Sequence, residues 1–364
     1  MASSYFSRVI LIPSTVFLAA LFGGAYGSGR EVVEFISRHG PVGGLIAIIA
    51  IAVTYAICLF LVYEMARMFR AWEYRGFANH LLGKAKILYE ILLMIGLLLG
   101  LAICASAGGA IAKSYFGVTE LAGGAGVLFI IVGLIFFGRK IVEDSMILSV
   151  SALGLILVYL LYVVLTNHGA EIGTAFGATP MVTDGIGTGM KYALTNCGFL
   201  PLLLYSVVDL KSRKETAVTA ITAAVAGVIP AIAFHLTFMM SYPEIVDQQL
   251  PTYWVIENIM PAAFLGVYVL VVFVLVAQTG VALLQGVIES LDKLVHSRRG
   301  RAMSRIGHAS ISGISVVLAS VFASVGIVEL IIRVYGFLSI SFFVVFFVPL
   351  FTRGAWLIWR KTSA

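Results

Sequence analysis

Apolar residues run through this chain in long blocks, and the polar positions between them mark out segments at 8–38, 44–66, 87–112, 121–138, 144–165, 187–210, 215–240, 262–290, 307–325 and 327–351. A helix rising 1.5 Å per residue needs about 20 apolar residues to cross a hydrocarbon layer of ~30 Å. Most of these blocks reach that length, and none shows the ten-residue alternation of a membrane strand. The pattern predicts an all-α polytopic membrane protein with ten transmembrane helices.

Two segments break in their middle. In the first, Gly23-Gly24-Ala25-Tyr26-Gly27-Ser28-Gly29 interrupts the apolar run before helical patterning resumes through Arg38. Each glycine costs a helix about 1 kcal/mol relative to alanine. Unwound backbone survives at membrane depth only where protein or a water-filled cavity satisfies it. In the sixth segment, Asn196-Cys197-Gly198-Phe199-Leu200-Pro201 does the same with Gly and Pro close together. With five segments per half, the halves cross the bilayer in opposite senses, and the sixth segment is the counterpart of the first. Breaks at matching positions of two inverted halves point to a transporter's binding site. The expected division is 1–165 for the first repeat and 166–364 for the second, together one transmembrane domain.

Composition agrees: 60% of residues are hydrophobic and 12% charged, about half the usual charged share. The net charge of +6 belongs to membrane topology, not to nucleic acid. With the N-terminus inside, only Arg30, Arg38, Lys113, Lys191 and Arg333 of the 24 Lys and Arg fall in the outer half. Both termini are therefore expected in the cytoplasm and the chain in the cell (inner) membrane. A secretory signal peptide is the alternative for the N-terminus, but only Arg8 precedes the apolar stretch and helical patterning follows the glycines. Cys58, Cys104 and Cys197 stand singly in apolar segments, as small core residues do.

The stretches FGGAYGSGRE (22–31), NCGFLP (196–201) and VYGF (334–337) resemble the bacterial YkvI-type amino-acid permease family of the amino acid–polyamine–cation superfamily. That resemblance implies the LeuT fold, a 5+5 inverted repeat with broken first and sixth helices. It further implies secondary transport of a small solute, often an amino acid, coupled to Na⁺ or H⁺.

The residues suggest how. The half-helix after Ser28 would offer free N–H groups to a carboxylate, with Gly24, Ala25, Gly27 and Gly29 allowing close approach. Asn196 and the carbonyls around Cys197 and Gly198 would take an ammonium or hydroxyl, between Tyr26 and Phe199 as apolar walls. Arg30 is expected to pair with Glu34, to form an outer gate with Glu329, or to meet an anionic substrate; Glu329 and Arg333 are also spaced to pair with each other. The LeuT resemblance places Na⁺ between the first break and the eighth segment, where Gln278 and Thr279 stand in place of two adjacent hydroxyls. Proton carriers would be Glu31, Glu90 or His235, with Glu90 alternatively pairing Lys86 and His235 alternatively a hydrogen-bonded core residue. The outer segment 242–261 should form short capping helices. No catalytic constellation or resident cofactor is expected. The partners are the lipid bilayer and a small zwitterionic or anionic solute, and the oligomeric state is unreadable. A channel or non-transporting sensor on the same scaffold is the alternative function.

Overall fold

The computed structural model describes residues 5–137, 139–179, 184–299 and 303–362, without the side chains at 24–25, 136–144, 146–147, 293–294, 296–299, 305 and 361–362. Its N-terminal segment shows the expected interruption. A π-helical turn, Ser7–Leu11, leads into α1 (Ile12–Leu21), with Pro13 in the first turn where its missing N–H does no harm. Phe22 and Gly23 leave the helix. A single turn, α2 (Gly24–Gly27), precedes Ser28 and Gly29, and α3 (Arg30–Phe35) completes the crossing. Gly29 takes φ 79°, a left-handed conformation that glycine adopts without penalty.

Long helices follow: α4 (Gly40–Phe69), a short α5 (Tyr74–Leu82), α6 (Lys86–Phe116), α7 (Glu120–Phe137), α8 (Arg139–Asn167) and α9 (Gly169–Ala178). The sixth crossing is α10 (Gly185–Cys197), a turn at Gly198 and Phe199, and a 3₁₀ stretch from Leu200 to Val207 with Pro201 near its start. Then come α11 (Arg213–Met239), α12 (Pro251–Ile259), α13 (Ala262–Arg299), α14 (Arg305–Ala323), α15 (Ile327–Phe342) and, after two π-helical turns, α16 (Ala355–Thr362). Among the described residues there is no strand. Seven stretches are long and apolar enough to cross a membrane. The shorter apolar helices at Ser7–Leu21 and Glu120–Ile135, with the broken α10 segment, account for the other three crossings. The residues exposed along these helices are apolar, as Ile49, Val53 and Ile57 on one face of α4 show, so the outer surface suits lipid.

Packing between crossings rests on small residues, because lipid tails leave no hydrophobic drive for helices to associate. Gly185 and Gly189 of α10 lie on the α4 backbone: an added Cβ would come within 2.5 Å of the Gly43 carbonyl oxygen and 2.6 Å of that of Ala47. Gly109 and Gly123 bring α6 and α7 equally close. The contacts come in corresponding pairs. α1 packs on α11 as α10 packs on α4, and α6 packs on α15 as α13 packs on α8, while α4 meets α11 and α6 meets α13.

The side bearing α3 is sealed. The segment 244–247 forms a 3₁₀ turn and, with α12, covers the end of α3, as the capping expectation for 242–261 requires. At the opposite end, Ser212 and Glu215 form a capping box at the start of α11. Tyr5 donates to Glu215 at 2.8 Å, and Thr219 donates to the Val9 carbonyl at 2.8 Å, a carbonyl in the π-helical turn. The N-terminal segment is thereby fastened to α11.

Candidate functional site

Both breaks lie in the interior, where their backbone polar groups are largely taken up by protein. Tyr268 donates to the Gly27 carbonyl at 3.0 Å, and the Thr252 N–H donates to the Ser28 carbonyl at 3.1 Å. The Gly29 N–H reaches the Tyr26 carbonyl at 2.9 Å, and the Arg30 N–H reaches the Ser28 hydroxyl at 3.3 Å. At the second break Tyr89 donates to the Gly198 carbonyl at 2.8 Å. The glycines are likewise filled from outside. Leu153 and Val272 lie against Gly27, Phe238 and Thr252 against Gly29, and the Phe342 ring against Gly198.

Beside the breaks lies a cavity of about 330 Å³. Its walls are Phe17, Ala20 and Leu21 of α1, Gly96, Leu97, Gly100 and Ile103 of α6, Ala282 and Leu283 of α13, and Val334, Tyr335 and Leu338 of α15, with the second break completing it. The lining is mostly apolar, and Thr195, Asn196 and Tyr335 supply its polar groups. Leu97 and Leu202 also line two further cavities, and the larger of these, about 470 Å³, reaches Trp72, Glu73, Arg75 and Glu289. These neighbouring cavities lie toward the end bearing residues 72–75, away from the α3 side.

Of the residues expected to bind substrate, Asn196 and Phe199 line the cavity. Phe199 lies over Gly96, where an added Cβ would sit 2.7 Å from its Cζ. The others do not line it in this conformation. Tyr26 is buried against Phe22 and Phe234, with ring centroids at 5.4 and 5.5 Å, and forms no cavity wall. Gly27, Ser28, Gly29, Cys197 and Gly198 are buried with protein groups packed on them. The side chain of Ala25 lies outside the described residues, and Gly24 is known only by its backbone in α2. Thr195, Tyr335 and the α6 glycines were missed. Gly96 and Gly100 recur at i, i+4 on one helix face, a spacing that marks close approach of something across that face.

Arg30 does not meet Glu329. Its guanidinium donates to the carbonyls of Val246 at 2.8 Å and Gln248 at 2.9 Å, and to Glu34 at 2.8 Å; Glu34 also takes Arg38. Glu329 pairs at 2.6 Å with Arg333 one turn along its own helix, both side chains exposed. The outer gate expected between Arg30 and Glu329 is thus replaced by arginine bound to a loop's main chain.

The other charged candidates also resolve. Glu90 pairs with Arg75 at 3.6 Å, while Lys86 donates to Asn79. His235 is a core residue hydrogen-bonded at both nitrogens, to Ser37 at 3.0 Å and to the Pro41 carbonyl at 2.9 Å. A carbonyl only accepts, so Nε2 carries the proton and Nδ1 accepts from the Ser37 hydroxyl. Thr279 lies at the first break, 3.5 Å from where a Cβ on Gly23 would sit. Gln278 turns toward α8: its amide nitrogen donates to Ser145 at 2.8 Å and Ser149 at 3.1 Å, and its buried Oε1 has no partner. The described residues hold no group of three His, Cys, Asp or Glu that could bind a metal ion.

No family model and no curated protein matches this sequence. Solved structures do. The chain is similar to MhsT in complex with L-phenylalanine (TM-score 0.62, 14% identity, covering 87% of this chain and 80% of that one). It is also similar to the manganese transporter of Eremococcus coleocola (TM-score 0.58, 9% identity, 94% and 78%) and to Mhp1 in an inward-facing conformation (TM-score 0.55, 16% identity, 91% and 76%). At these identities the likeness establishes the fold, which is the LeuT-type all-α membrane fold.

Proposed function

We propose that this protein is a secondary active transporter that carries a small amino-acid-like solute across the cell membrane by alternating access. The observation that carries the reading is an interior cavity beside the two broken segments, with Asn196 and Phe199 of the second break in its wall. The fold supports it, being shared with MhsT, solved with L-phenylalanine. The halves 1–165 and 166–364 are read as inverted repeats, supported by the paired packing of their helices. The basic loops favour a cytoplasmic location for both termini, which puts the end bearing residues 72–75 on the inner side. The YkvI-type permeases are the family whose motifs this chain resembles.

Asn196, Phe199, Thr195 and Tyr335 form the near side of the site. Gly24, Ala25, Gly27, Ser28, Gly29 and Arg30 form its outer side, bared when the bonds to Thr252, Val246 and Gln248 release. An apolar lining with polar groups at one end fits a zwitterion with an apolar side chain. Na⁺ is the preferred coupling ion. Thr279 stands at the first break and the unpartnered Gln278 Oε1 is a hard oxygen acceptor of the kind Na⁺ takes. H⁺ is the other candidate.

The test is uptake of labelled L-phenylalanine and L-leucine into proteoliposomes, with a Na⁺ gradient, a pH gradient, or neither. Saturable uptake that follows one gradient supports the reading. Linear flux without saturation indicates a channel, and binding without flux a sensor.

A further inference from the structure

The cavity walls carry no charged side chain, yet a carboxylate lies just beyond their polar end. Glu31, in the first turn of α3, is 7% exposed. Among the described residues it makes no ion pair, and its neighbour Arg30 is turned away to Glu34 and the loop carbonyls. One turn along α3 from Glu31, Phe35 packs on the rings of Tyr192 and Tyr335 at centroid distances of 5.4 and 4.9 Å, which brings both hydroxyls to the Glu31 carboxylate. Tyr26, Tyr55 and Cys104 lie nearby. The rings of Tyr192 and Tyr335 are stacked, with centroids 5.6 Å apart.

Two of these groups join the carboxylate to the cavity. Tyr335 faces Glu31 and also lines the cavity. The Tyr55 hydroxyl is buried without a hydrogen bond and lies beside the side chain of Asn196, another cavity residue. An ionised carboxylate away from water needs a cation or several strong donors, and hydroxyl groups meet only part of that need. An acidic group inside the membrane marks a functional site by default. The faces of tyrosine rings attract ammonium groups, and around a carboxylate they add to its pull. With no Lys, Arg or His paired to Glu31, its charge is balanced by a proton while the site is empty and by a cationic group when a ligand brings one.

We propose that Glu31, with Tyr55, Tyr192 and Tyr335 around it, is the subsite for the substrate's ammonium group, so that the solute carries a primary amine at one end and an apolar body in the cavity. The inference rests on the transport reading and adds the sign of the charge that is recognised. It favours amines and zwitterions over anions, since no basic side chain lines the cavity to receive an acid.

The test uses matched probes on the purified protein in nanodiscs, read by thermal shift: L-phenylalanine, phenethylamine and 3-phenylpropanoate, then L-leucine, isoamylamine and 4-methylpentanoate. The amine-bearing members of a set should protect and the acid should not. Glu31→Gln should weaken amine binding by about tenfold or more and erase the preference for amine over acid, whereas Glu31→Asp should keep that preference. The ratio of amine to acid binding is the readout, because a merely destabilised protein would lose both together. Protection by acids without amines overturns the subsite and leaves transport standing, as does an unchanged ratio in folded Glu31→Gln. If no probe protects and none is taken up under either gradient, the transport reading falls and the subsite falls with it.

Discussion

Replacing Arg30 with Met should open the sealed side, and the structure allows the size of the effect to be worked out. The Arg30 guanidinium makes two bonds to the carbonyls of Val246 and Gln248 and one to Glu34. Glu34 keeps Arg38 when Arg30 is lost, so the bonds that matter are the two to the loop. A hydrogen bond involving a charged group contributes about 1.5–3 kcal/mol. Two at the lower figure give ~3 kcal/mol, which at about 1.4 kcal/mol per decade is a shift of roughly 100-fold in the closed-to-open ratio. Thr252 is a suitable reporter: it is fully buried, its backbone seals Ser28, and its hydroxyl has no partner, so Cys replaces it with little loss. With Cys58, Cys104 and Cys197 changed to Ala, the assay is the rate of maleimide labelling of Thr252→Cys in nanodiscs. Arg30→Met should raise that rate between about tenfold and 100-fold. A change of less than about twofold would refute the latch. So would an equal rise with Arg38→Met, which touches Glu34 but neither carbonyl.

Gly44→Ala should destabilise the protein by about 1–3 kcal/mol, because its Cβ would overlap the His235 ring, which is held at both nitrogens. In a His235→Ala background the same change should be nearly neutral, and thermal melts of the four proteins measure that coupling. Tyr89→Phe leaves the Gly198 carbonyl without its donor and should lower stability by about 1–2 kcal/mol, read as a fall in Tm with the fold otherwise retained. Thr219→Val cuts the bond to the Val9 carbonyl, so limited proteolysis should cut the N-terminal segment faster than in the parent, while Ser206→Ala, whose hydroxyl bonds only within its own turn, should leave that rate unchanged.

The crossings were legible because lipid imposes one rule on every helix, and both breaks were visible because glycine and proline disturb backbone directly. The use of the broken backbone was not legible. Tyr268, Tyr89 and Thr252 reach it from 241, 109 and 224 residues away along the chain, and nothing in a local pattern marks a tyrosine for that purpose. Arg30 shows the same limit. Its pairing with Glu34 was legible from the i, i+4 spacing, but its bonds to two loop carbonyls, which every residue carries, were not. Gly96 and Gly100 were hidden by abundance, since glycines that let helices touch and glycines that leave room for a ligand look identical in sequence.

Because Arg30 holds the main chain of Val246 and Gln248, the latch places no demand on which side chains the loop carries. Related chains are then free to vary those two positions while keeping the arginine, provided the backbone path survives. Methods that infer contacts from correlated substitutions would find the pair with Glu34 and miss the loop altogether. The second partner of this arginine is the shape of a backbone.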